Sequence, residues 1–163
     1  MKQLSIFQEE KKIKICAFTG HRELPKDFSQ KALKQAVISM IEKGADTFLC
    51  GMAVGFDMLA GETVLSLKKK FPQIKLVACI PCLEQDKFFS PTDKKRYAKL
   101  LKYAEEKVII SERYYSGCMH QRDRYMAERA DGLITYCVKT SGGTYFTVNT
   151  FKKKHPDGEI IYL

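Results

Sequence analysis

The sequence predicts a doubly wound α/β sandwich, in which a mainly parallel sheet of about six strands carries helices on both faces. Six short runs rich in Val, Ile, Leu and Cys alternate along the chain with longer patterns of helical period. Nearly continuous apolar runs are typical of strands that are buried on both faces, as in parallel sheets. Strictly alternating strands and helices supply the crossover connections that parallel neighbours need.

Six runs supply the predicted strands, at 13–18, 46–50, 74–80, 107–111, 132–138 and 159–163. The first helix is predicted from an apolar stripe of period 3.6 that comprises Phe28, Leu33, Val37, Met40 and Ile41. Further helices are predicted at about 56–70, 91–106, 117–130 and 144–154. Because no linker interrupts this alternation, the sequence predicts one domain over residues 1–163.

Composition and charge bear on the classes of partner. The longest apolar runs are far too short to span a membrane, and charged residues interrupt the N-terminal stretch where a secretory signal would lie. We therefore expect a cytoplasmic protein with no membrane partner. The net charge of +9, from 28 basic and 19 acidic residues, permits a nucleic-acid partner. We favour a different interpretation, in which Lys68–Lys70 and Lys152–Lys154 end helices and complement the helix dipoles.

The cysteines are interpreted as buried hydrophobic residues. Cys16, Cys50 and Cys137 each lie in an apolar run. Cys79 and Cys82 form a C-x-x-C pair, but the sequence offers no second pair at zinc spacing, and no helix is predicted to begin at Cys82, as a redox motif requires. The sequence therefore predicts no metal site.

Three glycine-rich segments follow predicted strands. TGHRE (19–23) follows the first strand, GMAVGFD (51–57) follows the second, and SGGT (141–144) comes shortly after the fifth; IPCLEQ (80–85) leaves the third. The carboxyl ends of parallel strands meet at one edge, where open α/β sheets bind ligands. Main-chain amides at a helix start bind anions, and glycine lets a phosphate approach them. The pattern predicts a phosphate or nucleotide pocket, although it matches neither a Walker A nor a G-x-G-x-x-G motif.

The predicted ligand-binding residues lie in these segments or in the fourth helix. They are Thr19, Gly20, His21, Arg22, Gly51, Met52, Ala53, Gly55, Asp57, Pro81, Glu84, Arg122, Ser141, Gly142, Gly143 and Thr144. Arg22 is suited to bidentate phosphate binding, and a pair with Glu23 explains it equally well. We interpret His21 as a substrate contact, or as a polar cap of the turn, rather than as a catalytic base. Asp57 in a first helical turn also stabilises the helix dipole, which alone explains it. No catalytic residue is assigned.

Several motifs together resemble the YpsA-like family, a branch of the SLOG superfamily. They are TGHR, GADTFLCGMAVGFDMLAGE, IPCLEQ, GCMHQRDRYMAERADGLI and GGTYFTV, in this order over nearly the whole chain. The resemblance implies a Rossmann-like fold and a nucleotide or nucleotide-sugar ligand held by Thr19–Arg22, Gly51–Gly55 with Asp57, and Ser141–Thr144. The superfamily includes the DNA-processing protein DprA, the LOG phosphoribohydrolases, and sensor domains of bacterial and phage-defence systems. Its members commonly self-associate, so a homo-oligomer is an open expectation.

Two departures from the pattern of these relatives bear on chemistry. LOG-type enzymes follow their glycine-rich turn with a glutamate, whereas the helix GGTYFTVNTFKKK contains no acidic residue. Glu62, Glu84 or Asp57 would have to replace that carboxylate in a glycosidic cleavage. In addition, Asp123 stands where we expect an asparagine in relatives, which places a charge near the predicted anion site.

Three functional hypotheses follow. The leading one is a cytosolic sensor or regulatory module that binds a nucleotide derivative, without a cofactor and without strong catalysis. The alternatives are a nucleosidase or phosphoribohydrolase that cleaves an N-glycosidic bond, and DprA-like binding of single-stranded DNA carried by the net charge. The sequence leaves the ligand open. It predicts that Gly55→Val abolishes nucleotide binding and leaves the fold intact.

Overall fold

The computed structural model describes residues 12–163, which form a six-stranded sheet with five helices. The strands are β1 (Ile15–Gly20), β2 (Thr47–Cys50), β3 (Lys75–Ile80), β4 (Glu106–Ile109), β5 (Gly132–Tyr136) and β6 (Glu159–Tyr162). Their order is β4-β3-β2-β1-β5-β6, and every neighbouring pair is parallel. The predicted fold class is therefore confirmed.

Five helices connect the strands, and their local sequences explain where they begin. They are α1 (Gln30–Glu42), α2 (Phe56–Leu67), α3 (Pro91–Tyr103), α4 (Cys118–Arg129) and α5 (Gly143–Lys154). The hydroxyl of Ser29 caps α1 and that of Ser90 caps α3 by accepting main-chain amide hydrogen bonds of 3.0 and 3.1 Å. Within residues 12–163, none of these helices combines the length and hydrophobicity needed to cross a bilayer.

The two faces of the sheet bury two separate hydrophobic clusters. Alternate strand residues such as Phe18, Phe48 and Leu76 pack with α1, α2 and α3 on one face. Their neighbours, such as Ala17 and Leu49, pack with α4 and α5 on the other face. Strands covered on both sides explain the nearly continuous apolar runs of the sequence.

Several predicted boundaries differ from the structure. Strand β1 continues to Gly20, so that residues 19–20 belong to its end and not to the following loop. Phe28 precedes α1, and its ring packs edge-on against the rings of Phe56 and Tyr136. Helix α2 ends at Leu67, so Lys68–Lys70 form the following turn, whereas the last turn of α5 does contain three lysines.

The strand order has a reversal between β1 and β5. The chain proceeds from β1 towards β4 on one side, and returns to add β5 and β6 on the other. Connections that leave neighbouring strands in opposite directions open a crevice between them, at the carboxyl edge. The fold therefore places the segments after β1 and β5 around one opening.

Candidate functional site

A cavity of about 490 Å³ lies at the carboxyl ends of β1 and β5. Its lining comes from the end of β1, the segment before α5, the start of α4 and one residue after β2: Thr19, Gly20, His21, Arg22, Glu23, Ala53, Met119, His120, Asp123, Lys139, Ser141, Gly142, Gly143 and Thr144. The volume is in the range of pockets for small ligands. We call this space the switch-point cavity.

The structure divides the predicted site residues into two groups. Nine line the switch-point cavity: Thr19, Gly20, His21, Arg22, Ala53, Ser141, Gly142, Gly143 and Thr144. Seven do not, and lie behind or beside it: Gly51, Met52, Gly55, Asp57, Pro81, Glu84 and Arg122. The structure also brings in five residues that the sequence reasoning did not assign to the pocket: Glu23, Met119, His120, Asp123 and Lys139. No spacing in the sequence pointed to Lys139 or Met119, because their position follows from the strand order.

The N-terminus of α5 presents uncapped amides to the cavity. Gly142 precedes the helix at φ 92° and supplies no capping side chain. The first main-chain hydrogen bond of the helix is donated by Phe146 N to Gly142 O, at 2.9 Å. The amides of Gly143, Thr144 and Tyr145 therefore have no acceptor within the helix, which favours an anion at this point.

Two buried threonines flank these amides. Thr19 and Thr144 line the cavity and are each only 8% exposed. Among residues 12–163 neither hydroxyl has a hydrogen-bond partner. Neither hydroxyl oxygen is among the fully buried unpaired atoms of residues 12–163, so both are open to the cavity and available to bind a polar ligand.

His21 ties the loop after β1 to the loop after β5. Its Nε2 accepts a hydrogen bond of 3.0 Å from the amide of Val138, so the ring proton lies on Nδ1. Burial, and then the charge of Lys139, lower the pKa of His21. The imidazole is therefore neutral at pH 7, and its Nε2 already accepts a hydrogen bond. Of the two predicted roles for His21, this favours the polar cap of the turn over the substrate contact.

Arg22 is exposed at the rim of the cavity. Its Nη2 lies 3.6 Å from the sulfur of Met119. In the part of the chain that the structure describes, it forms no ion pair, and the pair with Glu23 that the sequence allowed is not found. Its guanidinium therefore retains donors for a ligand.

A buried charged layer lies behind the cavity. Arg122 is 6% exposed; its Nη1 donates to the carbonyl oxygens of Gly51 and Cys79, at 2.5 and 3.3 Å, and its Nε donates to Asp123 at 2.7 Å. The pKa of Asp57 is raised to about 7, because the effect of burial exceeds the opposing effect of the nearby positive charge of Arg122. One oxygen of Asp57 has no partner among the described residues. Arg122 and Asp57 support the cavity from behind, whereas Asp123 is part of its lining.

The glycines after β2 pack against protein. A Cβ atom on Gly55, which has φ 84°, would lie 2.1 Å from the carbonyl oxygen of Arg22. A Cβ atom on Gly51 would lie 2.8 Å from both Arg122 Nη1 and Asp57 Oδ2. Glycine is therefore needed here to bring the loop against its neighbours.

The carboxylates that the sequence offered for catalysis lie elsewhere. Glu62 pairs with Arg96 at 2.6 Å on the surface of α2 and α3, and Glu84 is exposed, 3.9 Å from Lys87. In the described range, Asp123 and Glu23 are the carboxylates that line the cavity, and Asp123 is held by Arg122. No group of three or more His, Cys, Asp or Glu residues within 12–163 is arranged to hold a metal ion.

Comparison with known proteins gives a consistent family assignment. A family model described as "YspA SLOG family" matches residues 4–161. A UPF0398 protein of Bacillus licheniformis is 30% identical over 129 residues, covering 77% of this chain and 70% of that protein. The UPF0398 protein YpsA of Bacillus subtilis is 24% identical over 140 residues, covering 83% and 78%.

Two solved structures share the fold. DprA from Streptococcus pneumoniae matches with a TM-score of 0.65 and 19% identity, over 91% of this chain and 50% of that one. DprA from Helicobacter pylori, whose structure is described for its single-stranded DNA binding mode, matches with a TM-score of 0.64 and 19% identity. The chain spans half of the first protein and 64% of the second.

Proposed function

The chain belongs to the YspA SLOG family, and from that membership we propose that it binds a nucleotide or nucleotide derivative in the switch-point cavity. The observation that carries the proposal is the N-terminus of α5, where uncapped amides and the unpaired hydroxyl of Thr144 meet a cavity at the reversal of strand order. Such a helix start binds phosphate through its amides and dipole.

The charges around the cavity suit an ester of phosphoric acid better than a bare anion. Arg22 and Lys139 supply positive charge beside the amides of α5. Asp123 and Glu23 supply carboxylates in the same cavity. Carboxylates commonly accept hydrogen bonds from ribose hydroxyls, whereas they repel phosphate. A ligand with one anionic end and one hydroxylated part matches both sets.

Binding without strong catalysis is the form of the proposal that the side chains favour. The Nε2 of His21 is engaged by Val138, and the carboxylate of Asp123 is paired with Arg122. Asp57 lies behind the cavity rather than in its lining. A nucleosidase needs an acid positioned at the glycosidic bond. The contacts of His21 and Asp123, and the position of Asp57, keep these three side chains from that role.

The proposal is tested by thermal shift and calorimetry on the full chain. The panel comprises nucleoside mono-, di- and triphosphates, NAD, ADP-ribose and cyclic nucleotides. A ligand at one hundred times its Kd stabilises by about 2.7 kcal/mol, which raises the Tm by roughly 5–10 °C. Arg22→Ala is expected to reduce the shift, and Arg113→Ala, an exposed arginine outside the cavity, is the matched control. A flat panel for the wild-type chain contradicts the proposal.

Binding of single-stranded DNA is the second candidate. The net charge of +9 and the fold shared with the two DprA structures favour it. Such binding would depend steeply on salt, because cations are released from the phosphates. Fluorescence anisotropy with a labelled oligonucleotide at 50 and 200 mM salt tests it, and absent or salt-independent binding excludes it. A homo-oligomer stays a prediction, which light scattering with and without ligand checks.

A further inference from the structure

A second groove continues the switch-point cavity towards α3. It has a volume of about 300 Å³ and lies between the loop after β2 and the segment before α3. Arg22, Ala53 and Met119 line both spaces, so the two are contiguous. We call this space the Phe88 groove, after the aromatic residue on its wall.

The Phe88 groove differs in chemistry from the cavity that it joins. The cavity lining includes hydroxyls, amides and charged groups, whereas the groove adds the apolar side chains of Val54, Phe88 and Phe89. Phe88 is 91% exposed, while Phe89 is half-buried and packs edge-on against Tyr97. The groove therefore offers an accessible aromatic surface beside apolar side chains, and its polar lining residues are Gln85, Ser90 and Asp93.

We propose that the Phe88 groove binds the nucleobase of a nucleotide whose phosphate lies at the start of α5. This inference rests on the proposed function and extends it from a phosphate site to a site for a whole nucleoside phosphate. A nucleotide has a polar, anionic end and a flat aromatic end. The switch-point cavity offers groups that bind the first, and the adjoining Phe88 groove offers an aromatic surface for the second. Bases stack on aromatic side chains through faces that all bases share.

Charge near the ring agrees with this occupant. The ammonium of Lys87 lies 5.5 Å from the centroid of the Phe88 ring. Arg22 lies at the junction of the two spaces, where the sugar-phosphate part of the ligand would pass. Lys87 is also 3.9 Å from Glu84, and the carboxylate of Asp93 in the groove lining is paired with Arg96. Arg22 is therefore the cation that favours an anionic ligand over a neutral aromatic compound.

The test compares AMP with ribose 5-phosphate by isothermal titration calorimetry on the full chain. We expect Phe88→Ala to weaken AMP binding about tenfold and to leave ribose 5-phosphate binding unchanged, because only AMP has a base to stack. Phe88→Tyr retains a ring and is expected to retain wild-type affinity for AMP. Tyr114→Ala removes an aromatic side chain that is 63% exposed and lines neither space, and it is the matched control.

The outcomes separate this inference from the proposed function. AMP binding that is equal in Phe88→Ala and the wild type overturns the base site and leaves the phosphate site standing. An equal loss of AMP and ribose 5-phosphate binding in Phe88→Ala also overturns it, since the effect would not depend on the base. If the wild-type chain binds neither AMP nor any other nucleotide of the panel, both proposals fail.

Discussion

Two glycine-rich loops, each between a strand and a helix, have different surroundings at their positive-φ glycines. The β2 loop, residues 51–55, is packed against protein, so that a Cβ on Gly55 would overlap the main chain of Arg22. The β5 loop, residues 141–144, borders the switch-point cavity, and a Cβ on Gly142 would meet no atom within 4 Å. Both glycines have positive φ, at 84° and 92°. Glycine at a strand exit therefore indicates an unusual backbone, but only the neighbours decide whether the space belongs to protein or to ligand.

The packed loop also depends on buried charge. The carbonyl oxygen of Gly51 accepts hydrogen bonds from Arg122 and from Gln85 Nε2, the latter at 2.8 Å. Through Arg122, the loop is joined to Asp123, which lines the cavity. The β2 loop thus contributes Ala53 to the lining of the cavity and also holds the cavity wall in place.

The largest expected effect comes from removing the cation behind the β2 loop. Arg122→Met leaves Asp123 without its buried cation and removes one of the two donors to the carbonyl oxygen of Gly51. We expect it to lower the free energy of unfolding by about 3–5 kcal/mol. Arg124→Met, at an exposed position of the same helix, is the control and should cost less than about 1 kcal/mol. Urea unfolding measures both. Equal costs for the two variants would show that Arg122 does not support the loop.

The pH dependence of stability should also separate the loops. Because burial raises the pKa of Asp57 to about 7, the folded state holds its proton between about pH 4 and 7, where the unfolded chain has lost it. Wild-type stability therefore falls as the pH rises through this window, by at most about 1.4 kcal/mol per pH unit from this group. Asp57→Asn removes the effect.

The free energy of unfolding of Asp57→Asn, relative to that of the wild type, should therefore rise between pH 4 and 7. Above that range the difference between the two should be constant. Denaturant unfolding at a series of pH values measures it. Gly142→Ala in the β5 loop is the control, and its difference from the wild type should not vary with pH. A constant difference for Asp57→Asn would mean that the carboxylate titrates normally.

Alanine at the two positive-φ glycines tests the comparison most simply. Gly55→Ala should destabilise by about 3 kcal/mol, because the methyl group meets the main chain of Arg22 in addition to the backbone strain. Gly142→Ala should cost only the strain, about 1 kcal/mol. The structure thereby replaces the expectation that a Gly55 variant keeps its fold and loses only binding. Similar Tm values for both variants would remove the distinction between the loops.

The smallest effect on stability, and a clear one on binding, is expected at Thr144. Thr144→Val keeps the shape and removes a hydroxyl that has no partner among the described residues, so the Tm should change little. Nucleotide affinity should fall about tenfold, since a hydrogen bond to a charged group is lost. Thr147→Val is the control: its hydroxyl bonds to Gly143 O and lies outside the cavity, so calorimetry should show unchanged binding.

The fold was predictable because the strands are short apolar runs between helical patterns. Period and turn residues placed every helix and strand of residues 12–163 to within a few residues. Strand order was not predictable in this way, because it depends on which buried faces meet in three dimensions. The sequence therefore placed three glycine loops on one edge but did not show that residues 19–22 face residues 141–144 across the reversal between β1 and β5.

The site was predictable only in part, for the same reason. The sequence indicates a charge near the anion site at Asp123, and the structure does place Asp123 in the cavity lining. Lys139 lies outside the motifs, and Met119 lies in one without a chemical signal of its own, so only the fold shows that both line the cavity. The sequence predicts that Arg122 reaches the pocket. In the structure its guanidinium instead donates hydrogen bonds to the carbonyl oxygens of Gly51 and Cys79, which place it behind the cavity lining. Burial of a charged side chain depends on such acceptors, and main-chain acceptors leave no sequence pattern.

The phosphate site is tested by a crystal structure of the full chain with the tightest-binding nucleotide of the panel. We expect phosphate oxygens within hydrogen-bond distance of the amides of Gly143 and Thr144, with the β2 loop unchanged. Phosphate bound instead to the amides of residues 51–55, or a chain that binds no nucleotide at all, would contradict it.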